Sequence, residues 1–198
     1  MRTRRFICEQ NLLEDAYRLG VKIFNEGFRP TFVVGLWRGG STVGIYVQEC
    51  LQHLGVETNH IALRTSYRGL GDYEVMVANP ERNIRVHGTQ YLLETLNAED
   101  RLLIVDDVSG SGQTLRVVRE RLKHKLRRNL PEAIRVATLY HKPGRNQSGR
   151  KPDFFLHETD DWLVLPYELA GLDIETLQQK KPEVAKLLRP ELRITMDS

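Results

Sequence analysis

The sequence predicts an α/β fold, a parallel twisted sheet with helices on both faces, and three observations carry that expectation. Leu102–Val105 is a run of four branched apolar residues, too short for a helix and suited to a fully buried strand. Strand-like and helix-like patterns alternate across the first 140 residues, as they do when helices cover both faces of a parallel sheet. Finally, glycine-rich loops and a pair of adjacent acids stand where strands give way to helices. In such sheets ligands bind beyond the carboxyl ends of the strands.

Taken in order, apolar residues at Leu12, Leu13, Ala16, Tyr17, Leu19, Ile23 and Phe24 recur at helical spacing from about Glu9 to Glu26, and Gly27 stands at the stop. Thr31–Leu36 follows Pro30 as a short buried strand. Trp37-Arg38-Gly39-Gly40 comes next, then a helix with Val43, Tyr46, Val47, Cys50, Leu51 and Leu54 on one face and Gly55 at its end. Paired glycines let a backbone approach a ligand, and a helix start favours anions. Standing alone, such a triplet more often marks a tight turn without a ligand.

Thr58–Arg64 alternates as a strand does. Thr65–Asn83 is polar, holds Gly69, Gly71 and Pro80, and shows no periodicity, which fits disorder or a functional lid. Ile84–Val86 resumes strand character and Gln90–Leu96 makes a short helix. After the central strand a helix runs from Leu115 to about Arg128 with Val117, Val118, Leu122 and Leu126 inward. Ile134–Tyr140 is a further buried strand, and Arg145–Lys151 reads as a polar, flexible connection. Phe154–Leu156 and Trp162–Leu165 are short strands. A charged helical tail begins at Asp173 and breaks at Pro182, where a proline opens a new first turn.

At 198 residues the chain suits a single domain with a substantial core. Hydrophobic and charged contents of 40% and 28% are ordinary for a soluble globular protein. A net charge of +3 is compatible with an anionic small ligand and does not demand nucleic acid. Cys8 and Cys50, the only cysteines, suggest neither a disulfide framework nor a thiolate metal site. No apolar run reaches membrane-spanning length, and the basic Met1–Arg5 lacks the apolar stretch of a secretion signal, so the expected location is the cytoplasm.

The chemistry concentrates in Arg101–Leu115, RLLIVDDVSGSGQTL. Successive N–H groups from Ser109 to Thr114 at a helix start, with nearby hydroxyls, would cradle a phosphate dianion, and Gly110 and Gly112 carry no side chain to block it. The loop has neither the Gly-Lys-Ser/Thr of the ATP-type phosphate loop nor the Rossmann glycine pattern. Asp106 and Asp107 would repel a phosphate unless something separates them from it. A ribose does so, its hydroxyls donating to the carboxylates while its 5′-phosphate sits in the loop.

IVDDVSGSGQT resembles the phosphoribosyl-pyrophosphate signature of type I phosphoribosyltransferases. GLWRGG is similar to that family's pyrophosphate loop, in which the bond equivalent to Trp37–Arg38 is cis. Ser66-Tyr67 stands where many members carry a Ser-Tyr pair on a mobile loop. HKP and the later DDWLVLPYE resemble the base-recognition region of the hypoxanthine and xanthine-guanine branch. The likeness covers roughly residues 9 to 170.

That resemblance implies a core at about 28–141, a small base-binding hood built from the N-terminal helix and about 142–170, and a helical tail at about 172–198. It implies that Asp106 and Asp107 face the ribose hydroxyls and help hold Mg²⁺, partly through ligand oxygens, and that Ser66 and Tyr67 act over the reacting centre. Ser109, Gly110, Ser111, Gly112, Gln113 and Thr114 would bind the 5′-phosphate, and Trp37, Arg38 and Gly39 the pyrophosphate. Lys142, Trp162, Leu163 and Glu168 would bind the base, with Trp162 stacked on it. The implied partners are phosphoribosyl pyrophosphate, a purine base or its nucleotide, and a second copy of the chain; membrane and nucleic acid are not expected. The implied reaction is transfer of phosphoribosyl to a 6-oxopurine, with release of pyrophosphate.

One position departs from the pattern. Purine members usually place an aspartate third after the acid pair, where it handles the base proton, and this chain has Gly110. A readily ionised base such as xanthine, a substitute carboxylate at Asp160 or Asp161, or a loss of turnover each accommodates the change. The last defines an alternative reading, a catalytically weak regulatory protein of the same fold that binds phosphoribosyl pyrophosphate or a nucleotide. The basic helix face of Arg116, Arg119, Arg121, Lys123, Lys125, Arg127 and Arg128 gives it some support, although such a face is usually solvated.

Overall fold

The computed structural model describes residues 4–67 and 84–188. The chain divides into two compact units, 10–160 and a smaller one made of 1–9 with 161–198. The expected single domain has its core and much of its expected hood inside the larger unit. The lid expected from Thr65 onward lies, beyond Tyr67, outside the described residues.

The larger unit is a six-stranded sheet. Strands β2 (Phe32–Trp37), β3 (Asn59–Tyr67), β4 (Ile84–His87), β5 (Arg101–Ser109), β6 (Ala133–His141) and β7 (Phe154–Glu158) are ordered β4-β3-β2-β5-β6-β7. All neighbours are parallel except β3 and β4, which pair antiparallel from Arg64↔His87 to Tyr67↔Ile84. The expected parallel sheet is therefore parallel throughout except for one edge strand.

Helices α1 (Glu9–Asn25), α2 (Gly39–His53), α3 (Gln90–Thr95) and α4 (Gln113–Leu126) accompany it. Leu92 of α3 and Leu115, Val118, Leu122 and Leu126 of α4 pack with Phe32, Val34, Leu36, Leu102 and Ile104 of the central strands in one core. Residues at i and i+2 of a strand share a face, so this cluster covers one side. The alternate residues Val33, Leu103 and Val105 are equally buried, and Gly44 of α2 lies against Gly35 and Val105 on that other side. Gly27 and Gly55, the predicted stops of α1 and α2, both take φ +81°.

Two extensions exceed the sequence expectation. The central strand continues past Val105 through both acids to Ser109, because β6 runs alongside it as far as Ser109↔His141. β3 likewise takes in Thr65–Tyr67, paired with β4. In α1, Asp15 is buried and accepts from Arg18 Nη1 and from His157 Nε2 on β7, each at 2.7 Å, tying helix to edge strand.

In the smaller unit β1 (Arg4–Phe6) pairs parallel with β8 (Trp162–Val164), and α5 (Ile174–Lys180) and α6 (Pro182–Leu187) follow. Asp173 caps α5 by accepting from the Thr176 N–H at 2.7 Å, and Pro182 opens α6 as the sequence predicts. The Lys181 ammonium donates to the carbonyls of Leu165, Pro166 and Glu168; burial pushes its pKa down. No helix among the described residues is long and apolar enough to cross a membrane.

Ile104 is fully buried at the centre of the larger core, so Ile104→Ala should cost about 2–5 kcal/mol. Urea unfolding checks this as a lower midpoint with an unchanged slope.

Candidate active site

The sheet order reverses between β2 and β5: β2 leads outward to β3 and β4, β5 to β6 and β7. The crevice at such a switch point, beyond the carboxyl ends of the strands, is where α/β sheets bind ligands. Both motifs meet there. β2 ends at Trp37, the Trp37–Arg38 bond is cis as the resemblance implies, and α2 begins at once with Gly39. The two glycines thus form the first turn of α2 instead of a loop ahead of it. Trp37 and Arg38 are exposed and Gly39 is buried.

Gly40 brings this helix start against β5. A β-carbon there would lie against the Val105 carbonyl oxygen, 2.8 Å from Asp106 Cα and 3.0 Å from Asp106 Oδ1. The close approach is to the acid-bearing strand itself. The Asp106 carboxylate consequently sits in a confined place. Burial first, then the Asp107 charge, pushes its pKa well above the ordinary 3.8. Asp106 Oδ1 accepts from the Asp107 N–H at 3.0 Å, and Asp107 Oδ1 from the Val108 N–H at 2.7 Å, which orients both groups.

Beyond the acids, Ser109, Ser111 and Gln113 are buried while Gly110, Gly112 and Thr114 are partly exposed. Gly112, at φ +73°, is the residue before α4. A side chain there would meet strain from the left-handed backbone and also collide with Ser148. The Gln147 N–H donates to the Ser111 carbonyl at 3.0 Å, and Asn146 Oδ1 accepts from both the N–H and the hydroxyl of Ser148. The segment expected to be a loose connection is therefore a pinned turn lying on the loop. Its Asn, Ser and Gly residues are the turn chemistry that signals it. Ser109 Oγ is buried without a hydrogen-bond partner, a hydroxyl left for a ligand or a water.

Lys142 stands one residue past β6. Its N–H donates to the Ser109 carbonyl at 2.9 Å, and the residue is 7% exposed, so it is a buried cation beside the loop and not the solvated charge of an ordinary turn. Asp160 Oδ1 accepts from the Gly144 N–H at 3.0 Å, holding the turn after Lys142. That assigns one of the two substitute carboxylates a positioning task. His141, buried with Nδ1 unpartnered, was not anticipated. Ser66, near the end of β3, places its hydroxyl 3.0 Å from His87 Nε2. Tyr67 is the last residue of that strand.

The remaining expected base-binding residues belong to the smaller unit. Trp162 is 49% exposed on β8, Leu163 is buried, and the Glu168 carboxylate accepts from the Leu165 N–H at 3.0 Å. Within its unit Glu168 closes a turn.

A cis bond before Arg38, a helix start packed on the acid-bearing strand and a serine–glycine loop leading into α4 thus come together at the switch point of the sheet. The model of the phosphoribosyl transferase domain matches residues 8–170, and the chain belongs to that family. No curated protein matches the sequence. Among solved structures, a purine phosphoribosyltransferase from Pyrococcus horikoshii is 21% identical with TM-score 0.63, covering 86% of this chain and 97% of that one. A hypothetical protein from Neisseria gonorrhoeae with bound ppGpp is 16% identical with TM-score 0.68, covering 96% and 99%. A xanthine-guanine-hypoxanthine phosphoribosyltransferase from Helicobacter pylori is 17% identical with TM-score 0.64, covering 89% and 99%.

Gly112→Ala should destabilise the protein by about 1–2 kcal/mol from the backbone alone, with added cost from Ser148. Gly112→Ala should cost less in a Ser148→Gly background, which lacks the collision but keeps the backbone strain, and thermal unfolding of the two single variants and the double variant checks this. Asp106 supplies a pH signature. Its raised pKa means that the folded chain keeps a proton the unfolded chain releases, so stability falls as pH rises from 3.8 through the folded value and is level above it. In metal-free protein, Asp106→Asn should remove that decline and unfold at higher denaturant than the native chain at pH 7.

Proposed function

We propose that the protein is a Mg²⁺-dependent purine phosphoribosyltransferase of purine salvage, transferring 5-phosphoribosyl from phosphoribosyl pyrophosphate to a 6-oxopurine. Xanthine or hypoxanthine stands ahead of guanine. The observation that carries this reading is the meeting of Arg38–Gly40 with Asp106 at the switch point, beside the serine–glycine loop.

In this reading the N–H groups of residues 109–114 and the start of α4 bind the 5′-phosphate, while the Asp106 and Asp107 carboxylates accept from the ribose hydroxyls. Arg38 and the exposed turn around Trp37 bind the pyrophosphate. A base nitrogen attacks C1 as the C1–O bond to pyrophosphate breaks. Positive charge develops on the ribose, and in this reading the two carboxylates stabilise it. Two adjacent carboxylates are too few to cage a hard cation but suit one that also takes water and substrate oxygens. Asp106 and Asp107 would hold Mg²⁺ in this way, and the ion would supply positive charge to offset the charge of the pyrophosphate leaving group. Lys142 contacts the 6-oxo oxygen. Ser66 and Tyr67 help exclude water, which otherwise competes for C1.

Gly110 removes the acid that usually handles the base proton, a group typically worth about 10² to 10⁴ in rate. Asp160 is already engaged by Gly144, and of the remaining accounts we favour a readily ionised base. Xanthine meets that description. The second reading, a catalytically weak sensor of phosphoribosyl pyrophosphate or nucleotide, draws on the same Gly110 and on the structurally similar Neisseria protein with bound ppGpp.

Incubating the protein with Mg²⁺, phosphoribosyl pyrophosphate and each base, while following nucleotide and pyrophosphate, separates the two. Turnover with xanthine or hypoxanthine is expected; tight ligand binding without turnover on any base selects the sensor. Gly110→Asp should raise the rate with hypoxanthine more than with xanthine, and equal effects would overturn the proton account. Lys142→Ala should raise KM for the base while leaving the affinity for phosphoribosyl pyrophosphate near native.

A further inference from the structure

The flank of α4 carries a second basic feature that phosphoribosyl transfer does not use. A cavity of about 220 Å³ lies between α4 and the segment ending at Pro152, with Arg116, Arg119, Arg150 and Lys151 on its walls and Glu120 as its one acid. Arg119 is partly buried, and its Nη1 is shut off from solvent without a hydrogen-bond partner. Burial and then the neighbouring Arg150 push its pKa down, against the pull of Asp153 and Glu120. Asp153 is no free counter-charge: its carboxylate pairs with Arg135 at 2.9 Å and accepts from the Val136 N–H at 2.8 Å. Folding therefore gathers Arg116, Arg119, Arg150 and Lys151 around one cavity whose lining includes a single acid, Glu120.

The place is distinct from the serine–glycine loop. Arg119 follows Gly112 by seven residues, about 10 Å along the helix, and Gly112 forms only one edge of the cavity. Guanidinium groups present planar forks that match phosphate oxygens. Four cations against one acid exceed what a single carboxylate needs and suit an oligophosphate. Leu115, Val136 and Pro152 add an apolar wall that a base or sugar could cover. Arg150 and Lys151 extend the same turn whose Gln147 and Ser148 lie on Ser111 and Gly112.

We propose that this cavity is a second anion site, which takes a pyrophosphate group, free or carried by a nucleoside, and clamps the 146–151 turn against α4. The site does not depend on the protein being a transferase.

Calorimetric titration of the full chain with inorganic pyrophosphate, and separately with adenosine diphosphate, tests it. Arg150 and Lys151 are exposed, so R150Q/K151Q should fold as the native chain does, which circular dichroism checks. The expected result is that R150Q/K151Q loses one class of pyrophosphate site, or weakens it at least about tenfold, while any binding at the serine–glycine loop persists. R119Q should act in the same direction; if it fails to fold, the double variant carries the test alone. Tighter binding of adenosine diphosphate than of pyrophosphate assigns the apolar wall to a nucleoside, and equal binding assigns the site to the free group. Native stoichiometry and affinity in R150Q/K151Q would overturn the proposal whether or not the protein turns over any base.

Discussion

The start of α2 packs onto the end of β5 with no room for a single methyl group between them, and the candidate site depends on that contact. Gly40 lies against the Val105 carbonyl and the Asp106 backbone. Because the two elements touch there, the turn at Trp37–Arg38 and the acids at 106 and 107 open into one crevice from adjacent strands. The same closeness confines the Asp106 carboxyl and raises its pKa, so the site carries electrostatic strain of its own making. Functional sites often hold such perturbed groups, since a charge kept from water responds strongly to an incoming cation or hydroxyl.

A second layer of contacts holds the loop that follows. The turn at 146–150 sits on Ser111 and Gly112, the backbone of Lys142 binds Ser109, and Asp160 fixes the turn after Lys142. The first two contacts reach the loop from segments beyond β6, and the third holds one of those segments in place. A loop of small residues gains its shape from neighbours in this way, because it has little apolar surface of its own to bury. The Ser109 hydroxyl is the one side-chain group of that loop left buried without a hydrogen-bond partner among the described residues.

Much of this was legible in the sequence. The strand 102–105, the amphipathic α1 and α2 with their glycine stops, the Asp173 cap and the Pro182 break all follow from local periodicity and turn chemistry, and they stand close to where the pattern puts them. Misses arose where a partner strand decides. β5 runs on through two acids that pattern alone would end it on, since the ladder to β6 satisfies its backbone. β3 extends to Tyr67 because β4 folds back beside it, antiparallel. Polar composition made 145–151 look loose, while side-chain hydrogen bonds in fact close it into a turn. The burial of Lys142 has no signature in a single sequence, because it is set by neighbours distant along the chain.

The order of paired acids, then small residues, then a helix start was written in the chain itself, each a local property of adjacent residues, and that order is what suits a ribose and a phosphate. That Gly40 is the tight position was a tertiary decision, because it concerns the distance between a helix start and a strand sixty-odd residues further along the chain. So was the gathering of Arg119, Arg150 and Lys151 around one cavity. Sequence determines what each segment can do; only packing determines which charges must share a space.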